Sequence, residues 1–221
     1  MLLRDITVST VYDHPFQLRF NKEMWSITDL YLKCLGKYNT YGVSKILVRL
    51  DDQQKNENKI EHLLNVIIVN KKFDFVEYFK QNKDQRKKMM LDILQLGVID
   101  VAKTQKMSMD KFLDAYNCCL KKQLKNEWLR KNKYLMSPNK KWYAGIYCTY
   151  DIDFFRTETI FLNSDKKEIG RVKLFSTEPH QVEEMGKMQW DSTSETFVLY
   201  SRDEKNSWGA RVPNPEGVVA S

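Results

Sequence analysis

Apolar positions are densest between residues 89 and 102, MMLDILQLGVIDVA, where ten of fourteen residues are apolar. At about 100° per residue, Asp92, Gln95 and Asp100 fall on one arc, which Lys103 extends. A helix that is apolar around most of its circumference has to be buried on several sides. Fourteen residues broken by two aspartates are too few to span a bilayer. The pattern predicts the central helix of a soluble core.

The flanking patterns differ. Residues 5–20, DITVSTVYDHPFQLRF, alternate. They predict one strand through Ile6 and Val8, a turn at Asp13-His14-Pro15, and a second strand through Phe16, Leu18 and Phe20. Ser26 reads as a helix N-cap, and Ile27, Leu30, Tyr31, Cys34 and Leu35 follow at helical spacing. Residues 43–50 predict a strand, 51–59 a polar loop, and 60–69 a further strand. Residues 73–135 read as helical with breaks: a short helix from Phe73 to Phe79, the central helix capped by Asn82, and a helix begun by Ser108. That last helix carries Phe112, Leu113, Tyr116, Cys119, Leu120 and Leu124 on one face, with lysines roughly opposite. Ser137-Pro138-Asn139 ends the helical region.

From Lys141 the residues become β-branched and aromatic. Strands are predicted at 142–150, 152–162, 168–175, 188–191 and 196–201, with hairpin turns at 163–166 and 191–194. Residues 205–221 read as an irregular tail whose Trp208 docks on the body. Strands, then helices, then strands is an α+β order. The expected architecture is an antiparallel sheet, built from N-terminal strands and a C-terminal meander, packed against the central helices. The expected domain is 1–202, followed by the tail 203–221.

Gly and Pro are few, 8 and 5, and 42% of residues are hydrophobic, which excludes a low-complexity chain. The N-terminus lacks the apolar stretch of a signal peptide. Cys34, Cys118, Cys119 and Cys148 form no CxxC pair and no zinc spacing, and read as buried small hydrophobes in a reducing, cytoplasmic compartment. No cofactor or metal is expected. The net charge of +7 is uneven. Residues 1–70 hold nine basic and eight acidic groups, residues 71–141 eighteen and eight, and residues 142–221 nine and thirteen.

The basic middle supplies the candidate partner-binding residues: Lys121, Lys122, Lys125, Trp128, Arg130, Lys131, Lys133, Lys140 and Lys141, with Tyr134, Trp142 and Tyr143 interleaved. Such a set suits an acidic protein surface, or nucleic-acid phosphates with bases stacked on the rings. Lysine in place of arginine weakens the nucleic-acid reading, because lysine does not grip phosphate bidentately. Asp151 and Asp153 share one strand face and could serve a metal or an acid/base pair. The pattern alone favours a turn role. His14, His62 and His180 stand apart from one another, and no GxSxG, HExxH, Walker or GxGxxG motif occurs. Glu178, Glu183, Glu184, Asp191, Glu195, Asp203 and Glu204 form an acidic set near the last strands. The reading that follows is a non-enzymatic protein that binds another protein, for example a bacterial immunity-type inhibitor of a toxin. The alternatives are a nucleic-acid-binding module that uses the lysine face, and a hydrolase or other enzyme centred on Asp151 and Asp153. No membrane association is expected, and the sequence does not specify an oligomeric state.

Overall fold

The computed structural model describes residues 1–53, 58–181 and 184–213. The fold is α+β, and the chain divides into two compact units: residues 1–126 with Asp151–Asp153, and residues 127–150 with 154–221.

The first unit runs β1 (Asp5–Thr10), α1 (Gln17–Leu35), β2 (Lys45–Asp51), β3 (Ile60–Leu63), β4 (Val66–Lys72), α2 (Phe75–Lys80), α3 (Lys83–Thr104) and α4 (Met109–Lys121). Its sheet has the order β1-β2-β4-β3. β1 with β2 and β2 with β4 are parallel, and only β3 with β4 is antiparallel. This corrects the expected antiparallel pairing at the N-terminus. The second expected strand is instead the first turn of α1. Phe20, Met24, Ile27 and Tyr31 recur at helical spacing and are all buried, while Leu18 is 80% exposed. The period of two at 16, 18 and 20 is therefore a coincidence within a helical pattern. Parallel strands need a long crossover, and the nineteen residues of α1 supply it. Ser26 lies inside α1 rather than capping it.

Helix α3 is the expected central helix. Met90, Leu91, Ile93, Leu94, Val98, Val101 and Ala102 are buried. The Asn82 side chain accepts from the Gln85 N–H at 3.0 Å, while Gln85 reaches back to the Asn82 N–H, a reciprocal cap. The polar arc is bonded along its length. Asp92 takes Lys88 at 2.6 Å and the Tyr116 hydroxyl at 2.7 Å. Gln95 is buried and accepts from the Tyr31 hydroxyl at 2.7 Å, and Asp100 pairs with buried Lys71. A Cβ on Gly97 would lie 2.5 Å from a methyl of Val48, so glycine is what lets α3 lie flush on β2.

Cys34 in α1 and Cys118 in α4 are joined in a disulfide, in place of the expected separate thiols, while Cys119 and Cys148 are buried and lie outside it. Helix α4 stops at Lys121, and residues 126–129 form a strand, so the expected lysine face does not continue along one helix.

The second unit is antiparallel. It contains β5 (Asn126–Leu129, its last three residues), a single 3-10 turn at Arg130–Asn132, β6 (Leu135–Met136), β7 (Trp142–Tyr150), β8 (Phe155–Asn163), β9 (Glu168–Thr177), β10 (Met185–Trp190), β11 (Thr196–Ser201) and β12 (Ser207–Arg211). One sheet has the order β5-β7-β8-β9, with β6 on β7, and the other has the order β10-β11-β12. The expected meander is present, and Trp208, expected in a tail, belongs to β12. Its ring packs 4.5 Å from that of Phe175. Ala144, Ile146, Cys148, Phe155, Phe161, Phe197 and Leu199 form the core. Two side chains link the sheets across their edges. The Arg130 guanidinium donates to the carbonyls of Met185 and Gly186 at 2.6 and 2.7 Å, and the Trp190 indole donates to the Leu135 carbonyl at 2.9 Å. Pro215 and Gly217 of the expected tail lie outside the described residues. Among those residues, no helix is long and apolar enough to cross a membrane.

Two stability effects follow. In Gly97→Ala, the helix propensity gain of about 1 kcal/mol is outweighed by overpacking of about 1–3 kcal/mol. The melting temperature should fall, and adding Val48→Ala should cost less than the sum of the two single changes. Opening the disulfide frees a loop of sequence separation 84. Cys34→Ser with Cys118→Ser should lower stability by about 4 kcal/mol by chain entropy, read as a drop in denaturant midpoint.

Candidate functional site

The nine candidate residues divide between the units. In the first unit, Lys121 and Lys122 border a groove of about 690 Å³ along α4 with Asp114, Asn117, Cys118 and Leu120. Lys125 is exposed beyond the helix end. In the second unit, Trp128 and Arg130 are used internally. Trp128 packs on the core with its ring 6.2 Å from that of Phe155, and Arg130 links the sheets. Lys131, Lys133, Lys140 and Lys141 are exposed. None of these four, nor Lys121, Lys122 or Lys125, has an ion-pair partner among the described residues.

Strand register brings part of this set together with residues the sequence did not single out. Trp142 pairs with Asn163, so the β6–β7 turn carrying Lys140 and Lys141 lies beside the β8–β9 turn carrying Lys166 and Lys167. Thr196 pairs with Arg211, which places Arg211 beside the β10–β11 turn. The Asn139 N–H donates to Ser194 Oγ at 3.1 Å and ties that turn to the first. Each turn is also held from within. Ser137 Oγ donates to Asn139 Oδ1 at 2.7 Å and accepts from the Trp142 N–H at 3.0 Å, and Asn139 Oδ1 accepts from the Lys141 N–H. Burial pushes the Asp191 carboxyl upward, but Thr193 Oγ1 and the Glu195 N–H both donate to it and, with Thr196, hold it below its ordinary value.

Two cavities open at this end. One, of about 380 Å³, is lined by Asn139, Lys141, Trp142, Ser194, Glu195 and Arg211 among others. The other, of about 200 Å³, lies on the outer face of β7 between Tyr134, Tyr143, Leu162 and Lys166. Gly145 makes room for the Tyr134 ring beside the second one. Its missing Cβ would lie 2.7 Å from the Tyr134 ring, so the ring rests on bare backbone. Lys166 and Arg211 were legible only as turn and tail residues, because their proximity depends on two hairpin registers.

Asp151 and Asp153 do not form a catalytic pair with a histidine. Lys83 contacts both, at 3.0 and 2.8 Å, and Lys87 contacts Asp151 at 2.9 Å. Burial pushes the Asp151 carboxyl upward, but Lys87 and Lys83 outweigh it and hold it below the ordinary 3.8. Nearby, Glu23 accepts from the Tyr78 hydroxyl at 2.8 Å and from Arg86 at 2.7 Å. Burial pushes the Glu23 carboxyl above its ordinary value despite these partners.

The histidines remain separate. His180 faces Glu178 at 3.4 Å, and His62 faces the Gln105 amide at 3.3 Å. His14 lies with Asp51 and Asp52, their ligand atoms within 4.8 Å of one another. Its Nδ1 accepts from the Phe16 N–H at 3.2 Å, which leaves the proton on Nε2, facing Asp52 at 3.5 Å. Asp51 accepts from the Gln53 N–H at 3.0 Å. The set is closed on itself and offers a cation no imidazole lone pair. The Cys119 thiol is pushed up to about 12 by burial, which leaves it inert. Of the acidic set, Glu184 pairs with Arg202 at 2.9 Å, and Glu183 lies outside the described residues.

Comparison with family models, curated proteins and solved structures found no match.

Asp151→Asn should cost about 3 kcal/mol near pH 7, because it leaves buried Lys87 short of a counter-charge and takes from Lys83 one of its two carboxylates. A carboxyl whose folded pKa is depressed contributes stability above its unfolded value and loses it as pH falls through the folded one. The gap between wild type and variant should therefore narrow below about pH 3.8 in chemical denaturation at stepped pH.

Proposed function

We propose that this is a non-enzymatic binding protein whose second unit presents a rigid basic end to an acidic surface on another protein. The observation that carries the reading is the cross-tied pair of turns, beside which Lys141 and Arg211 line a cavity of about 380 Å³ with Trp142, while Lys140 stands exposed next to Lys141. Unpaired lysines steer encounter with an acidic partner, and rings beside them provide contact area. Turns fixed by internal hydrogen bonds lose little freedom on binding. An inhibitor of the bacterial immunity type is the concrete form of this reading. The interleaving of Tyr134, Trp142 and Tyr143 with lysines also favours a second reading, a single-stranded nucleic-acid module. An enzyme centred on Asp151 and Asp153 draws no support from carboxylates already engaged by two lysines.

A cytoplasmic location is part of the proposal, and it meets the Cys34–Cys118 disulfide, which a reducing compartment opposes. Alkylation of acid-quenched cells decides between them, since reduced cysteines fit the cytoplasm and a bonded pair an oxidising compartment.

The test of function is isolation of the tagged protein from its native host, beside a variant carrying Lys140→Glu, Lys141→Glu and Arg211→Glu. The wild type should retain one acidic chain in stoichiometric amount, lost from the variant and weakened by salt. Equal retention by the variant would contradict the proposal. Nucleic acid released by rising salt would favour the second reading.

A further inference from the structure

The slot between Tyr134 and Tyr143 differs from the broad basic end around it. At about 200 Å³ it is smaller than the ~300–1,000 Å³ of small-molecule sites, so it takes one side chain rather than a cofactor. It is lined by Tyr134, Tyr143, Leu162 and Lys166. Neither tyrosine hydroxyl has a hydrogen-bond partner among the described residues. Tyr134 remains 36% exposed although its ring fills the place a Cβ on residue 145 would need. The slot therefore combines a flat apolar interior with an unpaired ammonium and two free phenolic donors, so it suits an apolar group bordered by oxygen acceptors.

We propose that this slot is an anchor pocket for one aromatic side chain of the partner, with a neighbouring carboxylate of that partner meeting Lys166 and the tyrosine hydroxyls. The inference rests on the acidic-partner reading and names the partner's contact chemistry: an acidic segment interrupted by an aromatic residue. Binding energy at interfaces concentrates where such a residue fills a desolvated pocket, while the charged rim sets encounter and orientation. Lys140, Lys141 and Lys167, on the turns flanking the slot, match the acidic flanks of that segment.

The test uses the full chain and calorimetric titration with three probes: a heptapeptide with a central tryptophan flanked by aspartates, the same peptide with alanine at its centre, and oligothymidylate. The tryptophan peptide should bind roughly tenfold more tightly than the alanine peptide, a difference of about 1.4 kcal/mol. Tyr143→Ala should remove that difference and weaken the alanine peptide only by the share owed to the hydroxyl. Lys166→Glu should weaken both peptides. Should Tyr143→Ala fail to fold, as a melt would show, Tyr143→Phe serves in its place. It keeps the ring and should lose only the share owed to the hydroxyl. Equal binding of the two peptides would overturn the anchor pocket and leave the acidic-partner reading standing. Absence of binding by either peptide would remove both, and binding of oligothymidylate in their place would transfer the surface to nucleic acid.

Discussion

Helix α3 rests on its sheet without a spacer, because Gly97 brings no side chain between its backbone and Val48. The rest of the first unit depends on that close approach. It sinks Leu91, Leu94, Val98 and Val101 into the core and brings Gln95 to the Tyr31 hydroxyl on α1. The same hydroxyl reaches the Phe112 carbonyl of α4 at 3.0 Å, so one buried tyrosine ties three helices together. A helix this apolar can carry polar residues only where each meets a partner, since an unpaired buried polar group costs about 1–3 kcal/mol. Asp92 and Asp100 meet that condition, whereas Gln95 meets it through its carbonyl oxygen and not its amide nitrogen.

The second unit achieves order differently. Its two sheets share one apolar core, and their edges are linked by Arg130 and Trp190, side chains that donate to main-chain carbonyls. These are the kinds of residue that a charge-and-aromatic search assigns to an interface. Here their hydrogen bonds are spent inside the unit. Lysines remain exposed, held on turns whose conformations are set by Ser137, Asn139 and Asn163. Structural polar groups and available charges are thus segregated, and the available ones cluster where three turns meet.

Much of the fold was legible because the local signals agree with the tertiary outcome. Asn82 followed by Gln85 is a cap in sequence and in structure. The β-branched and aromatic runs after Lys141 become strands near their expected limits. Residues 16–20 misled because Phe16, Leu18 and Phe20 satisfy a period of two, while the helical partners of Phe20 lie further on at Met24, Ile27 and Tyr31. The lysine face misled for a similar reason. Residues 121–134 carry helix-compatible spacing, but β5 takes Asn126–Leu129. The disulfide, the Lys83 and Lys87 pairs with Asp151, and the grouping of Lys141 with Arg211 join residues far apart in sequence, and no local pattern encodes them. Lys140 and Lys141 were legible as candidates, whereas Lys166 and Arg211 needed the strand register.

The central claim is that the basic end of the second unit is a protein-binding surface. The most direct measurement is site-specific photo-crosslinking in the native host, with the reactive residue placed at Lys140, at Lys166, or at Lys173 on β9, away from the turns. The account predicts one acidic protein joined at Lys140 and Lys166 and none at Lys173. Equal crosslinking at all three positions, or products confined to Lys173, would contradict it.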